Sequence, residues 1–507
     1  MMIKKYFVAA LLAAGTVLTS CDMDLRPIGS LDDQTAIQSV NDCLRFRNGL
    51  YSSLRGLTTG SYVYATDLQA DEFHATTYYG NRMGFFTSGN ILSSDGDITG
   101  YWSSGYSVIN SANYLIERMQ PLLANEEGLS QEDRDALARY NAEAHFIRAF
   151  VYYWLTQRFC EDYSSETAQA AHKGLPLVTV YNPTGDSGAY PGRSTQDETY
   201  ALIDSDLQIA YDGLSIFEQD DQSCLAPNAS YLSTYAIRAF QARIALQKGD
   251  NATALNYAQE VINSGLYPLT EIADYTTMWT EDEGSEVIFR PFMAATELGN
   301  STGSTYLSYN LDNADYIPTS DVLNLYDKER DIRFSTFFTQ WLLGDQQIEA
   351  RVFHKYPGNE SLKTSSTPNY MNMPKVFRTS EMYLIAAEAA IESNPTLANQ
   401  YLNDLRSKRI EGYEAVTYSG TALRDAIRSE RQKELVGEGF RLFDLRRWNL
   451  GFSRNPDHPE NPDIANIMVP TSAGVSYAAD DHRFVWPIPS DELQTNPQMA
   501  GQQNPGY

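Results

Sequence analysis

Small and apolar residues recur along this chain with the period of a helix, and they do so in paired segments. Across 231–266, Ala239, Ala242, Ala245 and Leu246 share one helical face. A Gly249-Asp250 turn follows, and Ala254, Leu255, Ala258 and Val261 line a second helix. Across 378–409, Ala386, Ala387 and Ala390 precede an Asn394-Pro395 break, and Ala398, Leu402 and Leu405 follow it. Alanine at a helix–helix contact lets two backbones approach closely, so each pattern predicts a helix–turn–helix unit. Thr35 to Gln38 reads as a capping box opening a helix that reaches about Leu57. Its partner runs from Trp102 to Met119, where Trp102, Tyr106, Ile109, Asn113 and Ile116 recur, a spacing that places Trp102 in the core. Ser130 opens a long helix through Phe159 carrying Phe146, Phe150, Tyr153 and Leu155, and the capping box Thr195 to Glu198 starts a helix to about Leu214.

These four pairs occupy about 35–120, 130–214, 231–266 and 378–409. Their rhythm is similar to that of the tetratricopeptide (TPR) unit, a helix–turn–helix of about 34 residues. The predicted fold is mainly α: about four TPR-like helix pairs with long irregular loop insertions and minor short strands. The insertions, 58–100, 284–320 and 332–376, do not read as helix. The second carries a short strand at Val287 to Phe289, and the third mixes Phe, Trp, Tyr and Pro with short β-like runs. Loops of this length in a compact protein are commonly functional.

The N-terminus changes the picture. Lys4 and Lys5 precede an apolar stretch from Tyr6 to Val17, too short to span a bilayer, and the segment ends Leu18-Thr19-Ser20-Cys21. That order resembles a lipoprotein signal: residues 1–20 are the expected signal peptide, Cys21 the expected lipidation site, and 21–507 the expected single mature domain. Asp22 and Asp24 resemble the surface-export signal of Bacteroidetes lipoproteins. Cys43, Cys160 and Cys224 fit no zinc spacing and are expected to be buried thiols.

Apolar residues make up 42% of the 507-residue chain and charged ones 20%, a globular composition. The net charge of −27 argues against nucleic acid or an anionic membrane surface as main partner. No catalytic constellation stands out. Gly299-Asn-Ser301-Thr-Gly303 has nucleophile-elbow spelling but is followed by a polar Ser/Thr/Tyr stretch rather than a helix. Asp71, Glu72 and His74, and Asp95 with Asp97, lack the spacing of a known metal motif. No enzyme activity, cofactor or metal is therefore expected. The 34 Tyr, 21 Phe and 6 Trp suit amphipathic ligands, since a ring offers a flat apolar face with a polar edge. Two loop clusters combine such rings with polar neighbours: Tyr78, Tyr79, Asn81, Arg82 and Phe85 in one, Tyr306, Tyr309 and Asn310 in the other.

The densest charge pattern is 427–448. Glu430, Glu434 and Glu438 fall on one helical face, a stripe that must be neutralised. Arg428, Arg431, Arg441, Arg446 and Arg447 are the nearest cations, and Gly437 and Gly439 offer a turn before Phe440. An ion network locking the last helices together is the expected role. This stretch, ERQKELVGEGFRLFDLRRW, resembles the C-terminal signature of the SusD/RagB family of surface nutrient-binding lipoproteins. The ending RFVWPIPSDELQTNPQMAGQQNPGY resembles that family's tail, expected to wrap on the body and hold the charged segment.

The resemblance implies a TPR-like fold and an outer-membrane, cell-surface location anchored at Cys21. It also implies capture of an oligopeptide or oligosaccharide and delivery to a SusC/RagA-type TonB-dependent β-barrel transporter, met through the TPR side. Residues 284–305, with 180–185 and 193–195, look nearer the RagB branch and tilt the ligand slightly toward peptide. A surface hydrolase and a scaffold lipoprotein without its own ligand are the alternatives.

Overall fold

The structure, a computed structural model, describes residues 36–125, 128–308, 310 and 312–507. The expected signal peptide, Cys21 and Tyr309 lie outside the described residues. Eleven helices carry the argument: α1 (Val40–Leu57), α2 (Ser61–Gln69), α3 (Gly96–Leu123), α4 (Gln131–Phe159), α5 (Gln196–Phe217), α6 (Thr234–Gln247), α7 (Asn251–Asn263), α8 (Thr379–Ala389), α9 (Pro395–Ser407), α10 (Gly420–Leu435) and α11 (Arg441–Arg447). They stack in chain order: α3 on α4, α4 on α5, α5 on α6, α6 on α7, α7 on α8, and α8 on both α9 and α10, with α1 laid across α3 and α4. This is the TPR-like stack of helix pairs that the alanine pattern predicts. Gly213 of α5 sits so close to α4 that a Cβ there would lie 2.8 Å from Ala142 Cβ.

The caps explain where the helices begin. Thr195 and Glu198 form the expected capping box of α5, and the Ser130 hydroxyl accepts from the Asp133 amide at the start of α4. The first helix differs from expectation. It starts at Val40, capped by Ser39, whose hydroxyl accepts from the Asp42 amide; residues 36–39 are not helical. The insertion 58–100 also departs from the sequence reading. It contains α2 and a short helix, Gly84–Ser88, and its end forms the first turn of α3. Helix α2 buries Tyr64, Ala65, Asp67, Leu68 and Gln69 against the body, and this tertiary burial sets its conformation where local pattern is weak.

Among the described residues eight short strands pair antiparallel, two by two: β1 (Phe73–Ala75) with β3 (Tyr316–Pro318), β2 (Val287–Phe289) with β6 (Phe377–Arg378), β4 (Phe338–Leu343) with β5 (Ile348–Phe353), and β7 (Phe452–Ser453) with β8 (Ser476–Tyr477). Cys43, Cys160 and Cys224 are buried free thiols, and Trp102 is buried with its indole nitrogen donating to Glu492.

The acidic stripe of α10 is a buried ion network. Glu430 and Glu434 are fully buried. Glu434 meets Arg333 at 3.1 Å, Arg378 at 2.7 Å and Arg409 at 3.0 Å; Glu430 meets Arg333 at 2.6 Å and Arg406 at 2.7 Å; Glu438 meets Arg378 at 2.6 Å and Lys355 at 2.7 Å. The neutralising cations therefore come mostly from other elements. The arginines nearest in sequence serve elsewhere: Arg431 and Arg447 pair with Asp444, Arg441 with Asp71 and Arg446 with Asp162, while Arg428 stacks on Trp448. Burial alone would raise the two inner carboxyls. The guanidiniums, Arg333 foremost at Glu430 and Arg409 at Glu434, instead hold both below the usual range. Gly437 (φ +73°) makes the turn between α10 and α11, and a Cβ there would meet the Phe353 ring at 2.5 Å.

The tail wraps as expected, though mostly on the end of α4. The Trp486 amide donates to Arg158 O, its indole to Gln69, and the Asn504 side chain donates to the carbonyls of Phe159 and Trp486 while accepting from Arg193. Its link to the charged segment is Arg446, which donates to Phe484 O.

Candidate functional site

The two loop clusters singled out in the sequence lie at the same end of one ribbon. Strands β1 and β3 pair in the register Phe73↔Pro318, His74↔Ile317, Ala75↔Tyr316. The chain leaving β1 forms the first loop, and the chain entering β3 forms the second. The Thr76 amide donates to Asp315 O at 2.9 Å and its hydroxyl to Ala314 O at 2.5 Å, closing the junction. Arg82 pairs with Asp315 at 3.1 Å, Tyr79 stands edge-on to Tyr316 with centroids 6.2 Å apart, and the Tyr316 hydroxyl donates to Arg82 O.

The first loop turns through left-handed backbone. Gly80, Asn81 and Met83 all have positive φ, which asparagine tolerates better than most residues. The Tyr79 hydroxyl donates to Asn81 Oδ1 at 3.0 Å. Asn81 and Arg82 are exposed, Tyr78 and Tyr79 half-buried, and Phe85 is 41% exposed on its short helix. Such rings present a face while their polar neighbours stay wet. From the second loop, Asn310 and Asp312 are exposed. Tyr306 is the correction: it is fully buried, 4.8 Å from both Phe73 and Phe353 ring centroids, so its ring packs the core and is no ligand contact.

A third element joins the site that the sequence reading did not select. The β4–β5 hairpin turns at Gly344, whose amide donates to Asp312 O at 2.7 Å and whose backbone abuts the Tyr78 hydroxyl. Burial, then the carboxylates of Asp345 and Asp312, hold that hydroxyl above its ordinary range, so it stays a neutral donor. The signal was available as Gly344-Asp345 between apolar, alternating flanks. The surface therefore combines aromatic faces with a guanidinium, amides, carboxylates and a phenol. It is chemistry for stacking on and hydrogen-bonding a polar, flat-faced ligand.

The other sequence candidates resolve as structure. The Ser301 hydroxyl donates to the carbonyls of Asn369 and Tyr370. Asp71 pairs with Arg441, and His74 Nε2 lies 2.9 Å from Asn455 O, the buried ring pulled down to about 3, first by burial and then by Arg454. Among the described residues no group of three His, Cys, Asp or Glu converges as a metal site.

A helical-repeat scaffold carrying aromatic and polar loops is an architecture that binding proteins use. The comparisons narrow it. Residues 344–507 match the family model described as the SusD family, and 34–246 match one described as starch-binding, associating with the outer membrane. SusD-like protein P2 of Formosa agariphila is 23% identical over 99% of this chain and 100% of that protein. A SusD superfamily crystal structure from Bacteroides thetaiotaomicron superposes with TM-score 0.75 at 27% identity, covering 92% of this chain and 100% of that one. A laminarin-binding SusD-like protein shares the fold, with TM-score 0.67 at 20% identity over 93% of this chain and 100% of that one. The chain belongs to the SusD/RagB family. Among its described residues no helix is long and apolar enough to cross a membrane.

Proposed function

We propose that this chain is a non-enzymatic cell-surface lipoprotein that captures oligosaccharides and hands them to a SusC/RagA-type TonB-dependent outer-membrane transporter. The mature protein begins at Cys21, its lipid anchor, and runs as one domain to 507. The ligand face is the ribbon end: Tyr78, Tyr79, Asn81, Arg82 and Phe85, with Asn310 from the second loop and the Gly344 hairpin turn beside them; Tyr309 is a further candidate on the sequence alone. The observation that carries this reading is the convergence on one ribbon of two loops distant in the chain, the aromatic-polar loop of Tyr78 to Phe85 and the polar loop of Asn310 and Asp312.

Sugar is favoured over peptide on two grounds. One matching family model is described as starch-binding, and a solved relative as laminarin-binding. The stretch that looks RagB-like is largely structural: β2 is fully buried, and Arg55 donates to Phe292 O and pairs with Glu297. Recognition by packing residues of this kind carries no ligand preference.

Titration calorimetry with laminari-oligosaccharides, malto-oligosaccharides and matched oligopeptides tests the reading. Arg82→Ala removes the half-exposed partner of the largely buried Asp315, and it should weaken glycan binding about tenfold, the cost of one charge-assisted hydrogen bond. Unchanged binding in Arg82→Ala and Phe85→Ala would move the ligand off this face.

A further inference from the structure

A second recess lies inside the molecule, away from the ribbon end. It is bounded by the end of α1, the C-terminal half of α4, the end of α6 and the turn between α10 and α11, with a volume of about 150 Å³. A cavity of about this volume takes a benzene-sized body, so it suits a single ring rather than an oligomer. Its solvent side is lined by half-buried residues that include Val63, Gln247 and Phe440.

The lining is cationic within a chain of net charge −27. Five cations face it, against two carboxylates, Glu438 and Asp444. Three of the cations have carboxylates of their own: Arg243 has Glu381, Lys375 has Asp282 and Arg447 has Glu388. Arg431 spends its Nε on both oxygens of Asp444, at 2.9 and 2.8 Å, and leaves Nη1 without a partner. Arg158 is the exception among them. It is 5% exposed and forms no ion pair among the described residues. Its Nη1 and Nη2 donate to the carbonyls of Trp154 and Tyr62, it lies 3.8 Å from the Trp154 ring centroid, and its Nε has no partner. Burial pulls its guanidinium down to about 9, and Asp67, itself pushed up to about 8 by burial, offsets this only in part. Two more lining groups are unpartnered and buried: Gln157 Oε1 and Trp279 Nε1.

A buried cation without a counter-ion is costly, and so is every buried polar atom left unpaired. Four such atoms on four side chains, each more than nine-tenths buried around one recess, describe a site built for a ligand. We propose that this recess is a second binding site, for a single ring-sized or smaller unit bearing a carboxylate. The carboxylate pairs with Arg158 and Arg431, Trp279 Nε1 and Gln157 Oε1 meet the unit's hydroxyl or amide groups, and the rings of Phe440 and Phe443 flank it. The chemistry is that of a uronic acid sugar or of an acidic amino acid. This site stands independently of the ribbon-end reading.

Calorimetry on the purified chain with sodium D-glucuronate, D-glucose and N-acetyl-L-glutamate tests it. Glucuronate should bind once per chain, with glucose about tenfold weaker or worse for want of the charge-assisted pair. Arg158→Gln should cost about tenfold, and Val63→Trp, which crowds that solvent side and leaves both arginines in place, should abolish binding without shifting the melting temperature. N-acetyl-L-glutamate binding as tightly as glucuronate would support the site and assign the carboxylate to an amino acid. No binding of either carboxylate, equal binding of glucose and glucuronate, or wild-type affinity in both variants would overturn the proposal.

Discussion

Charged residues near the end of the chain show how far single positions can be read. Glu430, Glu434 and Glu438 were legible as a stripe in need of cations. Which cations was not, because Arg333, Arg378, Arg409 and Lys355 approach from other elements and no local spacing encodes that. Glu434→Ala takes one carboxylate from three buried guanidiniums and should cost about 3–5 kcal/mol of stability, read by denaturant unfolding; a loss under about 1 kcal/mol would mean that the network relaxes. Asp67 offers a pH test. Burial raises its carboxyl from 3.8 to about 8, so the fold retains a proton that the unfolded chain releases. Its stabilising proton is fully present below pH 3.8 and lost as pH rises toward 8. Asp67→Asn keeps a neutral acceptor for the Gly439 amide. The melting temperature of the wild type relative to this variant should therefore fall from pH 4 to pH 8 and level off above, within the window set by the two pKa values. A difference independent of pH would refute the assignment.

Helices were the most legible elements, since alanine-rich faces and caps are local signals. The helix pairs after the first, the Thr195 capping box and the Asn394-Pro395 start of α9 lie where the pattern places them. Helix α2 was missed because its burial is tertiary, and α1 was begun too early because Ser39, not Thr35, leads to the acidic first-turn residue Asp42. The close approach that the small residues imply is testable at Gly213. Gly213→Val must displace Ala142 or the Ala138 carbonyl, 3.3 Å from a Cβ there. It should cost about 1–3 kcal/mol despite the better helix propensity of valine over glycine. A neutral or stabilising effect by thermal unfolding would mean that α4 and α5 are free to separate.

At the scale of the whole molecule, short irregular pieces hold distant parts together, and these are what sequence reading resolves least. Strands β1 and β3 are three residues each, too short to announce their pairing, yet they bring together the two loops of the proposed ligand face. Both loops were chosen from composition, but Tyr306 was misjudged because an aromatic in a polar stretch looks exposed until the fold buries it. The tail is a second such piece. Asn504→Ala would leave the Trp486 carbonyl unpaired and take one partner each from the Phe159 carbonyl and Arg193, and should cost about 1–3 kcal/mol, measured by thermal unfolding. The central claim is capture without chemistry at the ribbon end. Its most direct test is to mix the purified chain with oligosaccharide and oligopeptide libraries and identify by affinity mass spectrometry what is retained, in the wild type and in Arg82→Ala. The account predicts intact glycans held by the wild type and depleted from the variant. Cleaved products, or retained peptides with no glycans, would contradict it.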